Sequence, residues 1–286
     1  MNRMAVPKTY KLFIGGKFVR SESGRTYPVQ PVGAAASVNV SQASRKDARD
    51  AVSAALGSGK AWSATTAYNR GQVLYRVAEV LEGRFAQFVT DVMHSEGISQ
   101  ADAEAQVEQS IDQWVWYAGW CDKFAQVTGN ANPVAGPYFN ISVPEPSGVV
   151  AVIAPQDSSL LGLVSSIAPP LVAGNTVVLL ASERCPIPSI TLSEVLATSD
   201  VPAGVVNILT GSCDDIAPWL VQHPDVNAVD LTGAADHDWV ALEAMAANTL
   251  IRVRRPDRGP GATAPSLERI RAFTETKTIW HTKSLI

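Results

Sequence analysis

The sequence has few cysteines, few histidines and no group of them at metal-binding spacing. Its 286 residues include three cysteines and four histidines. Cys121, Cys185 and Cys213 are too few and too far apart for a disulfide framework or a zinc site. We therefore expect no bound metal, and a reducing cytoplasm is the predicted compartment.

Long apolar runs and an excess of positive charge are also missing. The longest apolar stretch, Leu160 to Leu180, is interrupted by Pro169, Pro170 and Gly174, so it does not predict a membrane span. Residues Met1 to Tyr10 contain no apolar segment typical of a secretory signal. A net charge of -4 gives no electrostatic reason to bind nucleic acid or an anionic membrane, so we expect neither partner.

The first half of the chain predicts a hairpin followed by helices. Two short strands between Tyr10 and Arg20 are joined at Gly15-Gly16, and a loop rich in Ser, Gly and Pro follows. Ser44 is a predicted helix N-cap, with Asp47 three residues on in the position of a capping-box acid. Apolar residues at helical spacing then predict three amphipathic helices: residues 48–61, residues 73–81 and a longer one from about Ser99 to Phe124.

The second half alternates between strands and helices. An extended strand is predicted at Tyr138–Pro146. The strands that follow are Gly148–Ile153, Asn175–Leu180, Val205–Leu209, Ala228–Leu231 and Ile251–Val253, and the helices between them are Leu160–Ala173, Ile187–Ala197, Ile216–Gln222 and Asp236–Ala247. This alternation of short, Val/Ile-rich strands with helices predicts an α/β fold with a doubly wound parallel sheet. A short helix at Ser266–Phe273 and a β-branched tail at Thr274–Thr282 end the chain, and the tail needs a strand partner.

Several long motifs resemble the aldehyde dehydrogenase family. They are Leu12-Phe-Ile-Gly-Gly-Lys-Phe-Val-Arg20, Trp62 with Arg70-Gly-Gln-Val-Leu74, Trp116-Tyr-Ala-Gly-Trp-Cys-Asp-Lys123, Ala168-Pro-Pro-Leu-Val-Ala-Gly-Asn-Thr-Val-Val-Leu179 and Pro202-Ala-Gly-Val-Val-Asn-Ile-Leu209. The resemblance runs from near Tyr10 to about Val253 and resumes at Phe273-Thr-Glu-Thr-Lys-Thr278. It implies a Rossmann-like coenzyme domain with a small β oligomerisation arm.

The resemblance also divides the chain into segments. Residues 1–136 correspond to the N-terminal hairpin and helices of the coenzyme-type domain, residues 137–147 to the arm strand, and residues 148–258 to the Rossmann-like part. Residues 259–265 form a linker where the family has its catalytic domain. Residues 266–286 correspond to the C-terminal helix and the second arm strand.

The resemblance implies that the catalytic positions are lost. The family's nucleophilic cysteine belongs to the domain that the linker replaces, and no cysteine of this chain stands in a similar context. Asp157 takes the place of an asparagine whose amide donates to the oxyanion, and a carboxylate there opposes developing negative charge. The family's general-base glutamate aligns near Pro256. We therefore expect no catalytic residue in this chain.

The implied coenzyme site is altered as well. Glu183, Gly211 and Gly233 match the family pattern, whereas Gln156, Leu180, Cys213 and Ala234 depart from it. Asp214 and Asp215 add negative charge close to where a pyrophosphate would lie. We expect no cofactor, and weak residual binding of NAD(P) is the alternative.

The resemblance implies that the two arm strands are retained. In the family such an arm lies against the neighbouring subunit's catalytic domain. The expected interface residues are Tyr138, Asn140, Ile141, Val143, Thr278, Ile279 and Trp280. The resulting hypothesis is a non-catalytic, cytoplasmic subunit that docks on a full-length aldehyde dehydrogenase and stabilises, regulates or scaffolds it in a hetero-oligomer.

Three other interpretations remain open. The chain could be an NAD(P)-dependent aldehyde oxidoreductase that works by a non-standard route or whose active site is completed by another chain. It could be a residual nucleotide-binding module. It could also be a decayed or truncated product without a role of its own.

Overall fold

The alternation in the second half of the chain produces the predicted parallel sheet. The computed structural model describes residues 8–34, 36–256 and 263–283. Its strands are β1 (Thr9–Tyr10), β2 (Leu12–Ile14), β3 (Lys17–Val19), β4 (Thr26–Val29), β5 (Val38–Ser41), β6 (Asn130–Asn132), β7 (Tyr138–Pro146), β8 (Val149–Ile153), β9 (Thr176–Leu180), β10 (Val206–Leu209), β11 (Ala228–Asp230), β12 (Arg252–Arg254) and β13 (Thr274–Thr282). The predicted linker residues 259–262 lie outside the described residues, and the proposed domain boundaries stay a prediction.

Helices connect these strands and cover the sheet. They are α1 (Arg45–Ala64), α2 (Ala67–Gly83), α3 (Phe85–Glu96), α4 (Gln100–Trp120), α5 (Phe124–Thr128), α6 (Leu161–Ala173), α7 (Ile187–Ala197), α8 (Cys213–Leu220), α9 (Trp239–Ala246) and α10 (Leu267–Arg271). Short 3-10 turns occupy Thr232–Ala234 and Ala247–Thr249. Of the helices that the described ranges contain, none is both long and apolar enough to cross a membrane.

The central sheet has seven strands in the order β12-β11-β8-β9-β10-β2-β3. The five strands from β12 to β10 are parallel, and the β2–β3 hairpin joins antiparallel to β10. This arrangement confirms the doubly wound sheet that the sequence predicts. The hairpin turn at Gly15-Gly16 is confirmed too, because both glycines have positive φ angles, of 57° and 75°.

Two apolar cores lie on opposite faces of the sheet, because successive side chains of a strand point to opposite sides. In β8, Val150 and Val152 face the core formed with α2, α3, α4, α6 and α7. Val149, Ala151 and Ile153 face the second core, formed with α1, α8 and α9. The sheet is therefore buried on both faces, as expected of a parallel sheet.

The two nine-residue strands, β7 and β13, form a separate sheet with the short β6, in the order β13-β7-β6. β13 pairs antiparallel with β7 along its whole length, from Thr274 opposite Pro146 to Thr282 opposite Tyr138. The tail thus finds the strand partner that the sequence requires. We call this sheet the arm.

Several predicted elements were wrong or missing. The loop predicted after the hairpin contains β4 and β5, which pair with each other and, through β5, with β1; Pro28 within β4 obscured the strand pattern. Helix α3 was not predicted. The long helix predicted to reach Phe124 ends at Trp120, and α5 follows separately. The helix predicted at Ile216 begins earlier, at Cys213, so this cysteine lies in a helix and not in a loop.

Candidate functional site

Four loops meet at one edge of the central sheet because parallel strands all end there. They follow β8 (residues 155–159), β9 (residues 181–185), β10 (residues 210–212) and β11 (residues 231–238). We call this the carboxyl edge. The chain leaves β8 toward β9 on one side and reaches β11 on the other, so a crevice opens between β8 and β11, where ligands of such sheets bind.

A cavity of about 400 Å³ occupies this crevice. Its lining includes Asp157 and Asp236, both exposed, together with Ser165 of α6 and Thr263 of the C-terminal segment. The guanidinium of Arg184 lies 3.9 Å from the Asp236 carboxylate. Asp157, which the resemblance puts in place of the family's oxyanion donor, thus shares the cavity lining with a second carboxylate, that of Asp236.

Gln156 joins the loops after β8 and β9. Its side-chain amide donates to the carbonyl of Ala154 and its side-chain oxygen accepts from the backbone N–H of Glu183, at 2.9 Å. The Ser182 hydroxyl donates back to the Gln156 carbonyl at 2.9 Å. The buried Gln156 side chain therefore fixes the backbone of the two loops to each other, and both ends of its amide are already hydrogen-bonded within the protein.

Glu183 reaches across to the next helix. One of its carboxylate oxygens lies 3.3 Å from the backbone nitrogen of Cys213, the first residue of α8. Asp214 and Asp215 occupy the same first turn and are exposed. The retained glutamate, Cys213 and the two aspartates, which the sequence predicted separately, are thus brought together at one helix N-terminus.

Gly233 is required where it stands, at the turn after β11. A Cβ atom there would overlap the carbonyl group of Ala154, so no larger residue fits without moving the backbone just after β8. Leu180 and Ala234 are buried in the apolar core below the edge, with exposed fractions of 1% and 0%. At these two positions, which differ from the family pattern, the side chains therefore pack in the core.

Sequence reasoning missed a charged cluster at the wall of the cavity, whose lining includes Thr232. Asp230, 1% exposed in β11, accepts from the backbone N–H of Thr232 at 2.8 Å. The guanidinium of Arg254 lies 3.5 Å from the same carboxylate and also donates to the Thr232 hydroxyl. The sequence did contain a signal, namely an acid within an apolar strand and an arginine in the next strand. β11 and β12 place Asp230 and Arg254 directly opposite each other. Pro256, the predicted general-base position, follows this strand.

The three thiols are not activated. Burial raises the pKa of Cys121 and of Cys213 to about 12, and at Cys213 the charges of Asp214 and Glu183 act in the same direction. Burial, followed by the charge of Glu96, also raises the pKa of Cys185, whose thiol donates to the carbonyl of Ser95. Nucleophilic cysteines need the opposite shift. No three acidic, histidine or cysteine side chains are arranged as a metal site in the described ranges.

The arm carries the residues predicted for an interface. Asn132, Asn140, Ser142 and Thr278 form a polar network across its three strands. The opposite face carries Phe139, Ile141, Val143 and Ile279, since these positions alternate with the first set. On this face Phe139 and Ile141 are 58% and 40% exposed. Trp280 lies opposite Asn140, on the face of the polar network, where it contacts Tyr138 at the tip and is 60% exposed.

A dinucleotide does not fit these residues well. The first turn of α8 already receives a carboxylate, the Leu180 side chain offers no hydrogen bond, and the cavity lining carries Asp157 and Asp236. Gly233 retains the close backbone approach that such sites use. The framework of a dinucleotide site is therefore present, while the groups that would meet phosphate are mostly acidic.

Comparison with known proteins agrees with this geometry. Residues 18–254 match the model of the aldehyde dehydrogenase family. The mitochondrial 10-formyltetrahydrofolate dehydrogenase of Mus musculus is 31% identical over 261 residues, which are 88% of this chain and 28% of that protein. The putative aldehyde dehydrogenase DhaS of Bacillus subtilis is 32% identical over 80% of this chain and 46% of its own length.

Solved structures give the same picture. HpcC from Thermus thermophilus superposes with a TM-score of 0.82 at 29% identity, over 87% of this chain and 48% of that one. An NAD-dependent aldehyde dehydrogenase from Sinorhizobium meliloti superposes with a TM-score of 0.80 at 27% identity, over 89% and 51%. The chain therefore spans about half the length of the solved proteins it resembles.

Proposed function

The chain belongs to the aldehyde dehydrogenase family, and we propose that it serves there as a non-catalytic subunit that docks on a full-length member. Docking would occur through the arm, and the chain would stabilise, regulate or scaffold the active enzyme. The observation that carries the proposal is the arm itself. Two nine-residue strands pair over their whole length and present Phe139, Ile141 and Trp280 to solvent.

Exposed apolar side chains on a strand pair favour association. Each end of the arm sheet is an edge strand, and β13 leaves one side of its backbone unpaired along nine residues within the described structure. Such an edge readily accepts a further strand. Only residues 255–273 separate β12 from β13. In the proposal, the full-length enzyme supplies the large domain on which the resemblance places a partner's arm.

The chemistry of the carboxyl edge supports a non-catalytic role. Acyl transfer through a thiol needs a thiolate beside an oxyanion-stabilising donor. The three thiols of this chain have raised pKa values, and the resemblance puts Asp157 where the family has its oxyanion donor. All three cysteines are free, which suits the proposed cytoplasmic location.

The decisive experiment mixes the purified chain with a full-length aldehyde dehydrogenase from the same source and measures solution mass by light scattering after gel filtration. We expect a complex of fixed stoichiometry that is heavier than either protein alone. The double substitution Phe139→Ser with Ile141→Ser should weaken the complex at least tenfold, as loss of central apolar contacts does. Tyr68→Ser is the matched control, because Tyr68 is 64% exposed on α2, outside the arm.

Two peaks that never mix, with this chain alone as a stable oligomer, would contradict the proposal. The rival hypothesis is that this chain is an enzyme whose active site the partner completes. The retained Glu183 and Gly233 support this hypothesis. Production of NAD(P)H from a panel of aldehydes separates the two. The rival predicts that the mixture is faster than the full-length enzyme alone and that substituting Asp157 or Glu183 abolishes this excess, whereas the docking proposal predicts no effect of either substitution on the rate.

A further inference from the structure

The carboxyl edge holds its own anions where a dinucleotide would place phosphates. In nucleotide-binding α/β folds the pyrophosphate lies against a helix N-terminus, whose first backbone N–H groups have no partner within the helix. In the described part of the chain, four helices begin at this edge: α6 after β8, α7 after β9, α8 after β10 and α9 after β11. The first turns of α6 and α7 are buried in the protein, which leaves the starts of α8 and α9 open to a phosphate. The partners of their first N–H groups therefore decide whether a phosphate can bind.

At α8 the partner is Glu183. Its carboxylate lies 3.3 Å from the nitrogen of Cys213, and the Asp214 and Asp215 carboxylates stand in the same turn. Negative charge at a helix N-terminus is stabilised by the helix dipole, so the arrangement is favourable as it stands. A phosphate would have to displace Glu183 and approach two further carboxylates.

At α9 the partner is Asp238. This helix begins only at Trp239, and the Asp238 side chain accepts from the backbone N–H of Ala241 at 3.0 Å. The turn between Gly233 and Asp238 also carries Asp236, and His237 of the same turn contacts Asp214 at 3.1 Å. This contact joins the two helix starts across the position that a bridging ligand would occupy.

We infer that the chain excludes NAD(P) from its carboxyl edge, because its own carboxylates hold the helix N-termini at which the pyrophosphate would bind. Among the residues that the structure describes, two basic groups near this edge, Arg184 and Arg254, are themselves paired with acids. Arg184 lies 3.9 Å from Asp236. Arg254 lies 3.5 Å from Asp230 and donates to the hydroxyl of Thr232, a residue of the cavity lining. This inference is independent of the docking proposal, because docking through the arm does not depend on whether a nucleotide binds at the carboxyl edge.

The test is calorimetric titration of the full chain with NAD+, and separately with inorganic pyrophosphate. The wild type should show no saturable binding of either ligand up to several millimolar. The triple variant Glu183→Ala, Asp214→Asn, Asp215→Asn should gain pyrophosphate binding at least tenfold tighter than the wild-type limit. That gain should weaken with added salt.

The control variant is Glu82→Ala, Asp112→Asn, Asp122→Asn, which makes the same change in net charge on exposed positions of α2, α4 and the turn after α4. It should behave as the wild type does. Saturable NAD+ binding by the wild type would overturn the inference, and loss of that binding in the triple variant would instead assign Glu183 to ribose binding. Equal pyrophosphate binding by the two triple variants would show that the carboxylates at α8 are not what excludes the ligand. Thermal unfolding of each variant verifies that it is folded.

Discussion

Single polar side chains hold this fold together at the points where helices end. Arg70 of α2 donates to the carbonyls of Ser63 and Thr65 at the end of α1 and, from Nε at 3.2 Å, to that of Val172 at the end of α6. Carbonyls in the last turn of a helix have no partner within it. One guanidinium therefore satisfies two helix ends and fixes α1, α2 and α6 to one another.

Removing this guanidinium should be costly. We expect Arg70→Ala to lower the free energy of unfolding by about 2 kcal/mol, since hydrogen bonds to charged groups contribute ~1.5–3 kcal/mol. Urea unfolding measures the change. Arg76→Ala is the control on the same helix, because its pair with Glu79 is exposed and should contribute below about 0.5 kcal/mol. Equal losses for the two variants would refute the role given to Arg70.

At the scale of elements, the start of α1 shows how a side chain ties a helix to a neighbouring loop. Asp47 is 4% exposed and accepts from the Ser21 hydroxyl at 2.7 Å and from the backbone N–H groups of Glu22 and Ser44. The capping box predicted from the sequence is confirmed. The structure adds that the same carboxylate also holds the loop between β3 and β4.

We expect Asp47→Ala to destabilise the protein by about 2–3 kcal/mol, more than the ~1 kcal/mol typical of a lost helix cap, because three donors lose their acceptor. The exposed Asp50 of the same helix provides the comparison, and Asp50→Ala should change the unfolding free energy by less than about 0.5 kcal/mol. Chemical denaturation of both variants measures the difference. If Asp47→Ala lowers the unfolding free energy by only the ~1 kcal/mol of a helix cap, the hydrogen bonds from Asp47 to the loop contribute nothing to stability.

Local pattern determined how well each element could be predicted. The bounds of β7 and α7 follow from the sequence because proline or glycine interrupts the chain near their ends. Helix α3 was missed because only Arg84 separates it from α2 and its start has no side-chain cap. The contacts of Glu183 with Cys213 and of Asp230 with Arg254 could not be predicted from spacing, since each depends on which strands become neighbours in the sheet.

At the scale of the whole molecule, the arm and the body are separable. Among the described residues, neither apolar core contains a residue of β7 or β13, and the last core residue along the chain is Phe273. Two hydrogen bonds fix Phe273 in place, because its carbonyl accepts from Ser147 and from the side chain of Asn175. The body should therefore keep its stability when the chain ends just beyond this residue.

We expect a chain that ends at Thr274 to unfold cooperatively, with a midpoint within about 3 °C of the full chain, since ~1 kcal/mol shifts the midpoint of a domain of this size by roughly 2–4 °C. The same truncation should abolish the complex with a full-length aldehyde dehydrogenase, because it removes one strand of the arm and leaves β7 unpaired along most of its length. Calorimetry and gel filtration measure the two outcomes on one sample.

Trp280→Ser separates loss of the strand from loss of its exposed ring, because it keeps the backbone ladder with β7. A truncated chain that still forms the complex would place docking on the body, and one that unfolds without a cooperative transition would show that the arm is part of the core.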